Sequence, residues 1–338
     1  MAEVGDEEQS IGEFIRGKVD VRSPLGAVAV AFVEGFNAAK ADRVSAQFIG
    51  EMSRASERIQ GERMYRVLSG YDQVTDWLRR RLERGGAEVR LNSRVDQVRW
   101  SPHRVEVRMR GVTGHPLPAV RASRALITLP LGVLQAKELR NAVRFDPPLA
   151  GKAQALRSLE MGSIVKVVLR FRRRFWEDRS GSHRPTMPRG FAQFGFVHSP
   201  RAPVPTWWRP IPFRDPVLVG WAGGAPAEAL AGRSATLVLE QALQSLAMIF
   251  RAPRWAIESL LDVAIPVDWQ ADPFARGGYC VVPVGKLHLQ AALGSPVEDT
   301  LFFAGEATHA GGHAGTVHGA IESGERAADE VVRSLNGR

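Results

Sequence analysis

One cysteine, Cys280, stands in 338 residues, which excludes an internal disulfide and fits a reducing compartment such as the cytoplasm. No apolar run approaches the roughly 20 residues that span a bilayer. The longest, Leu25 to Val33, is short and rich in alanine. The opening MAEVGDEEQS is acidic and polar, unlike a secretory signal peptide. Neither a helix-turn-helix nor a zinc-ligand or RNA-binding signature is present. The dinucleotide fingerprint G-x-G-x-x-G is missing too: Gly220 is followed by Trp221 and Ala222, so G-x-G fails there. Lysine is scarce. Only Lys18, Lys40, Lys137, Lys152, Lys166 and Lys286 contribute to the 45 basic side chains, the rest being arginine.

What remains is an ordinary globular composition, 44% hydrophobic and 24% charged, long enough for two domains and a large core. A net charge of +9 would suit an acidic partner, nucleic acid included. The basic residues are nevertheless spread along the chain. They cluster only at Arg79-Arg80-Arg81, with Asp76 and Glu83 nearby, and at Arg172-Arg173-Arg174. A solvated arginine-rich surface is the expectation, with neither nucleic acid nor membrane as partner.

Residues 11–66 lack strand alternation and read as helical, with Phe32, Phe36 and Ala39 forming one apolar stripe and Phe48 and Met52 another. A helix is expected from Gly70 to Glu83, with Val74, Trp77, Leu78 and Leu82 on one face and Gly85-Gly86 as its stop. Period-two patterning predicts strands at Glu88–Leu91, Arg94–Trp100 and Arg104–Met109, and Arg124–Leu129 reads as a buried strand closed by Pro130. A helix over Gly151–Leu159 precedes a strand over Ile164–Phe171. Residues Gly181 to Pro216, rich in proline, glycine, arginine and tryptophan, read as hairpins and loops around a cavity, with Trp207-Trp208 packing a loop over it. A strand at Val217–Trp221 and a helix from Ser234 to Phe250 follow.

The chain ends in LFFAGEATHAGGHAGTVHGAIESGERAADEVVRSL, from Leu301 to Leu335. It reads as a short strand to Ala304, a glycine-rich loop, and a long helix from about Thr316. Val317, Ile321, Gly324, Ala328, Val331 and Leu335 give that helix an apolar face. Its N-terminus offers unpaired N–H groups to a partner carrying or gaining negative charge. The segment closely resembles the C-terminal flavin-binding segment of the flavin-dependent amine oxidases, which include monoamine and polyamine oxidases and the flavin-type histone lysine demethylases. The resemblance implies that Gly305-Glu306 lies by the FAD ribose and diphosphate and that Val317, with Thr316 beside it, meets the flavin ring. It extends to GYDQVTDWL, to VRLNSRVDQV, where Val95 would face adenine, and to RALITLPLGVL, where Thr128 and Leu129 would wall the cofactor.

Lys166 sits in Ile164-Val165-Lys166-Val167-Val168-Leu169, an unusual place for a charge. It is either an edge-strand lysine that blocks aggregation or a group lining a cavity. MGSIVKVVLRFRRRFW resembles the family segment in which this lysine holds a water beside flavin N5. VDWQADPFARGGYCVVPVG resembles the stretch whose aromatics wall the substrate side, so Trp269 and Tyr279 take that role by resemblance; both could equally be core aromatics. The cysteine that tethers flavin in monoamine oxidases would fall at Gly278, so non-covalent FAD is expected. Thr316 stands where those enzymes have a second cage tyrosine, so a complete two-tyrosine cage is not implied. His309, His313 and His318 lie close in sequence, but no carboxylate or cysteine sits at ligand spacing, and no metal is expected.

The implied fold is α/β: an incomplete Rossmann-like FAD-binding domain (67–135 and 298–338) interleaved with an α+β substrate domain (1–66, helical, and 136–297). The implied activity is oxidation of a small-molecule amine with molecular oxygen. The resemblance runs from about residue 24 to 335 and lacks the family's N-terminal βαβ unit with G-x-G-x-x-G. The alternative is therefore a catalytically silent fragment, or half of a split flavoenzyme needing a separate N-terminal FAD-domain chain.

Overall fold

The computed structural model describes residues 8–61, 63, 65–136, 142–177 and 193–336. Three helices open the chain: α1 (Ile11–Arg16), α2 (Pro24–Asn37) and α3 (Ala46–Arg58). Each starts at a serine, Ser10, Ser23 or Ser45, whose hydroxyl accepts an otherwise orphaned N–H of the first turn. At α1 the Glu13 carboxylate answers on the Ser10 N–H, completing a capping box. Helix α4 (Asp72–Arg84) follows and ends at Gly85.

A four-stranded sheet comes next. β1 (Arg94–Ser101), β2 (Arg104–Arg110) and β3 (Pro116–Ala122) form an antiparallel meander, with Pro116 at the first position of an edge strand. After β4 (Ala125–Ile127) and the short α5 (Leu131–Leu134), β5 (Arg144–Asp146) returns parallel to β1. Helix α6 (Ala153–Ser158) and β6 (Glu160–Met161) lead into β7 (Ile164–Phe171), the long strand of the second sheet. That sheet also holds the hairpin β8 (Phe196–His198) and β9 (Thr206–Trp208), and β10 (Val217–Gly223). Helices α7 (Ala225–Leu230), α8 (Ala235–Phe250) and α9 (Arg254–Glu258) precede β11 (Leu261–Asp268), and the strand order is β11-β7-β10-β9-β8. β12 (Cys280–Val281) pairs with β6, and after α10 (His288–Gly294) the strand β13 (Leu301–Phe303) lies parallel to β4. Helix α11 (Val317–Asn336) closes the chain.

The alternation of β7 sorts its two faces. Val165, Val167 and Leu169 are buried with Leu218, Trp207 and the apolar side of α8, forming the core behind the sheet. Lys166 and Val168 point to the opposite, front face. A second core joins α1, α3, β12 and α10, and a third lies between β1 and β13. No helix among the described residues is long and apolar enough to cross a membrane.

Several expectations are corrected. Glu88–Leu91 is not a strand: no described strand pairs with it, and Leu91 is 72% exposed. Helix α4 forms as expected but buries no residue, and Trp77 on its apolar face is 53% exposed. Phe32 and Phe36 stack on each other and face outward, Phe36 being 64% exposed. Helix α2 instead buries Gly26, Val33 and Gly35, and Gly223 on β10, having no side chain, leaves room for the Gly35 carbonyl. Helix α11 buries the ridge Gly319, Ser323 and Ala327, while Val317, Ile321 and Leu335 are exposed. Trp207 is not in a loop; it lies in β9 and fills the space above Gly220, which has no side chain to collide with it. Of the stretch Gly181–Pro216, residues 181–192 lie outside the described residues.

Candidate active site

β4 and β13 run side by side and end together, with the Ala304 N–H donating to the Ile127 carbonyl at 3.0 Å. Thr128-Leu129 and Gly305-Glu306 thus leave the sheet from adjacent carboxyl ends, where open α/β sheets place their ligands. Gly305 makes the turn at φ 126° and ψ 160°, a conformation that suits glycine alone. Its N–H donates to Ser323 Oγ on α11, 2.9 Å away.

The Glu306 carboxylate then gathers two more segments. One oxygen accepts from the Cys280 N–H at 3.1 Å and the other from the Gly315 N–H at 2.8 Å. Burial pushes this carboxyl up to about 7, against the pull of those two N–H groups toward the charged form. Thr316 caps α11: its hydroxyl donates to the His313 carbonyl at 2.6 Å and accepts from the Gly319 N–H at 3.0 Å. The helix start is therefore partly capped, while the first-turn amides at Val317 and His318 have no acceptor one turn earlier. Tyr279 lies alongside Gly315, whose missing Cβ would stand 3.6 Å from the ring. Burial, then the Glu306 charge, raise its phenol well above the ordinary range.

Lys166 and Trp269 lie on the second sheet. Lys166 is flanked across the strands by Trp221 and Val267, and no hydrogen bond or ion pair joins it to another described residue. Trp269 follows β11, its N–H donating to the Ile164 carbonyl at 3.2 Å. Two tethers draw this sheet toward Tyr279. Trp221 Nε1 donates to the Gly35 carbonyl at 2.9 Å, and the Tyr279 hydroxyl donates to the Phe36 carbonyl. Both acceptors belong to the last turn of α2. The Gly162 N–H also donates to the Tyr279 carbonyl at 2.8 Å, and the Gly278 N–H to the Gly162 carbonyl at 2.8 Å. Val95 is not part of this convergence; it is half-buried on β1, beside the core between β1 and β13. Two open concavities, about 700 Å³ over β1–β3 and about 410 Å³ beside Arg172–Arg174, are lined by none of these residues.

The group that joins the histidines is not foreseen from spacing. Contrary to the expectation that no carboxylate is at hand, Glu322 on α11 receives His309 Nε2 at 2.7 Å and His313 Nδ1 at 2.8 Å. These three ligand atoms lie within 4.8 Å of one another. However, His309 Nδ1 accepts the N–H of Gly311 at 3.1 Å and of His313 at 3.3 Å. The His309 proton is therefore on Nε2, the atom a metal would need as a lone pair. The cluster is a carboxylate-bridged histidine pair that holds the loop onto α11. A second unforeseen group is Lys152, 2% exposed, whose ammonium donates to the carbonyls of Ala292 and Ser295 and stands 4.6 Å over the Phe303 ring. Among the described residues the fully enclosed lysine is Lys152; Lys166 is half-buried.

Comparison with known proteins identifies the family. The family of flavin containing amine oxidoreductases matches residues 4–332. A possible lysine-specific histone demethylase 1 of Drosophila melanogaster is 29% identical over 285 residues, 79% of this chain and 30% of that protein. Polyamine oxidase 4 of Oryza sativa subsp. japonica is 31% identical over 257 residues, 74% of this chain and 46% of that one. The chain thus spans less than half the length of these curated relatives. In fold it is similar to a double mutant from a redesign of cofactor binding in putrescine oxidase, with TM-score 0.73, 23% identity, and 96% of this chain and 68% of that chain covered. Cyclohexylamine oxidase from Brevibacterium oxydans IH-35A gives TM-score 0.71 at 19% identity, covering 97% of this chain and 68% of that one. The chain belongs to the flavin containing amine oxidoreductases.

Proposed function

We propose that this polypeptide oxidises a small-molecule amine with non-covalently bound FAD and molecular oxygen. The observation that carries the reading is the convergence of Thr128, Leu129, Gly305, Glu306, Thr316 and Val317 at the paired carboxyl ends of β4 and β13, with Tyr279 alongside. These residues fit a flat, anionic cofactor. Glycine turns keep side chains out of the approach, and a helix start with free amides favours charge developing on a ring. Each Glu306 oxygen spends one lone pair on a backbone N–H and keeps another for a cofactor hydroxyl. When bound, FAD would supply the acceptor for hydride from the carbon next to the amine nitrogen and pass the electrons to oxygen, giving hydrogen peroxide and an imine that water hydrolyses.

The remaining roles belong to the chain. Lys166, free of any ion pair, would hold a water at the reacting end, and Tyr279 and Trp269 would wall the substrate side. Val95 would face the adenine. Non-covalent binding is supported at Gly278, where a Cβ would meet Ile164 Cδ1 at 2.0 Å, leaving no room for a tethering side chain. Cys280 is 2% exposed, and burial followed by the Glu306 charge raises its thiol far above the ordinary value. In this reading residues 67–135 and 298–338 hold the cofactor, 1–66 and 136–297 shape the substrate side, and the setting is cytoplasmic.

A second reading is favoured by one observation. Among the described residues β4 and β13 form only a two-stranded parallel pair, whereas parallel sheets are normally wide. Leu126 on β4 and Val317, Ile321 and Leu335 on α11 are exposed. Such a surface suits a chain that stays silent until a separate dinucleotide-binding unit covers it. An absorbance spectrum of the purified protein before and after FAD addition decides between them. Flavin bands that survive desalting, with amine-dependent peroxide release, support the first reading; a colourless protein under all conditions refutes it. Lys166→Met should then slow flavin reduction or reoxidation, and unchanged kinetics would remove the proposed role of Lys166.

A further inference from the structure

The front face of the second sheet presents two ordered rows. Strand register aligns His198, Thr206, Trp221, Lys166 and Val267 in one row, from β8 across to β11. Beside it run Phe196, Trp208, Val219, Val168 and Ile265. The facing is fixed by contacts as well as by alternation. Trp208 and Trp221 lie with ring centroids 6.3 Å apart, His198 Nδ1 and Thr206 Oγ1 share a 2.8 Å hydrogen bond, and Trp207 and Val197 pack on the opposite side. Lys166 and His198 are separated by three inter-strand steps of about 4.8 Å, or about 14 Å.

His198 carries an unexplained feature. Its Nδ1 is held by Thr206, yet its Nε2 is buried and has no partner among the described residues. A polar atom left in that state calls for an acceptor or donor from elsewhere. Burial also lowers the basicity of the imidazole. Neither row contains a carboxylate. The nearest acidic residue in sequence, Asp268, spends its oxygens on the N–H groups of Gly232, Gln270 and Ala271. The carboxylate bordering these rows, Asp262, is taken up by Arg170, the next β7 residue on this face, so rows that carry a lysine and a histidine but no acidic partner disfavour a second cation. The face accepts an apolar chain that ends in a neutral hydrogen-bonding group.

We propose that His198 is a specificity-determining residue that reads the far end of an elongated monoamine, hydrogen-bonding a neutral hydroxyl or amide while the amine end reacts near Lys166. This rests on the amine-oxidising reading above. Trp221 and Trp208 would carry the intervening chain. Thr206 acts as a positioning residue by fixing the imidazole tautomer and plane.

The test uses a matched pair, 10-amino-1-decanol and decylamine, with the FAD-loaded chain. One hydrogen bond predicts about tenfold higher kcat/KM for the alcohol, expressed mainly in KM. In His198→Phe that ratio should collapse toward one; His198→Gln, which keeps a hydrogen-bonding end, should retain part of it, and Thr206→Val should reduce it. A ratio near one in the wild type, or one that survives His198→Phe, overturns the proposal. A second readout separates this failure from failure of the oxidase reading. In histidine-labelled protein, the His198 ring signals, assigned by their loss in His198→Gln, should shift with 10-amino-1-decanol and not with decylamine. If neither amine is oxidised but that shift occurs, the amine-oxidising reading fails and the binding role of His198 stands; no shift overturns the role of His198.

Discussion

Glu306 offers the sharpest physical test of the cofactor-side geometry. Its folded-state value of about 7 is raised from 4.5, with burial as the largest cause. A carboxyl raised in this way is protonated in the folded chain over a range where the unfolded chain has released the proton. Its favourable contribution is therefore fully present below about pH 4.5 and is lost as pH rises through about 7. Each tenfold change in proton affinity is worth about 1.4 kcal/mol, so the whole loss is about 3 kcal/mol. Glu306→Gln removes the titration while keeping the shape. It also turns an amide NH2 toward the N–H of Cys280 or Gly315, which costs about 1–3 kcal/mol at every pH. The two effects are separable: the lost hydrogen bond sets a constant offset, and the titration sets a slope. Urea unfolding of both proteins at intervals from pH 5 to 8.5 should show the variant gaining on the wild type by about 2–3 kcal/mol across the range, since other titrating groups cancel in the difference. A flat difference would mean that Glu306 stays ionised throughout and is solvated, which would refute its placement in an enclosed turn.

Lys152→Met should lower stability by about 2–4 kcal/mol in denaturant unfolding, because the Ala292 and Ser295 carbonyls lose their donor. Burial and then Arg326 lower the Lys152 ammonium to about 8 from 10.5, so wild-type stability should rise relative to the variant from pH 8 to 10.5. Zinc at equimolar concentration should leave Tm unchanged despite the proximity of His309, His313 and Glu322; a rise that Glu322→Ala abolishes would show that the histidine tautomer inferred above is wrong. Apolar-dye fluorescence should be strong for the chain alone and fall on Trp77→Lys with Leu82→Lys, because these side chains are already in water.

The residues legible in the sequence were those whose role is local. The turn at Gly305, the end of α4 at Gly85-Gly86, where Gly86 takes φ 83°, and the strand Ile164–Phe171 follow from φ requirements and period-two patterning, and they lie where the pattern puts them. Partner-dependent features were not legible. Glu88–Leu91 has the alternation of a strand, but alternation supplies only a face, and a strand also needs a neighbour to accept its N–H groups. Helix α11 shows how two faces can compete. Hydrophobicity marks Val317, Ile321 and Leu335, whereas close approach to β13 requires the small ridge Gly319, Ser323 and Ala327. The ridge wins because it places Ser323 on the Gly305 N–H and Arg326 on the Phe303 carbonyl, and a bulky stripe could not come that near. Lysine scarcity draws attention to Lys166, but the enclosure of Lys152 depends on where the carbonyls at the end of α10 fall, which no one-dimensional pattern records. The same holds for His198. Thr206 lies eight positions along the chain from it, and only the β8-β9 register reveals that the two share a hydrogen bond on the face that also carries Lys166. Charge and polarity on a strand acquire meaning from the row they join, so the row, and not the motif, is the unit in which such a face is read.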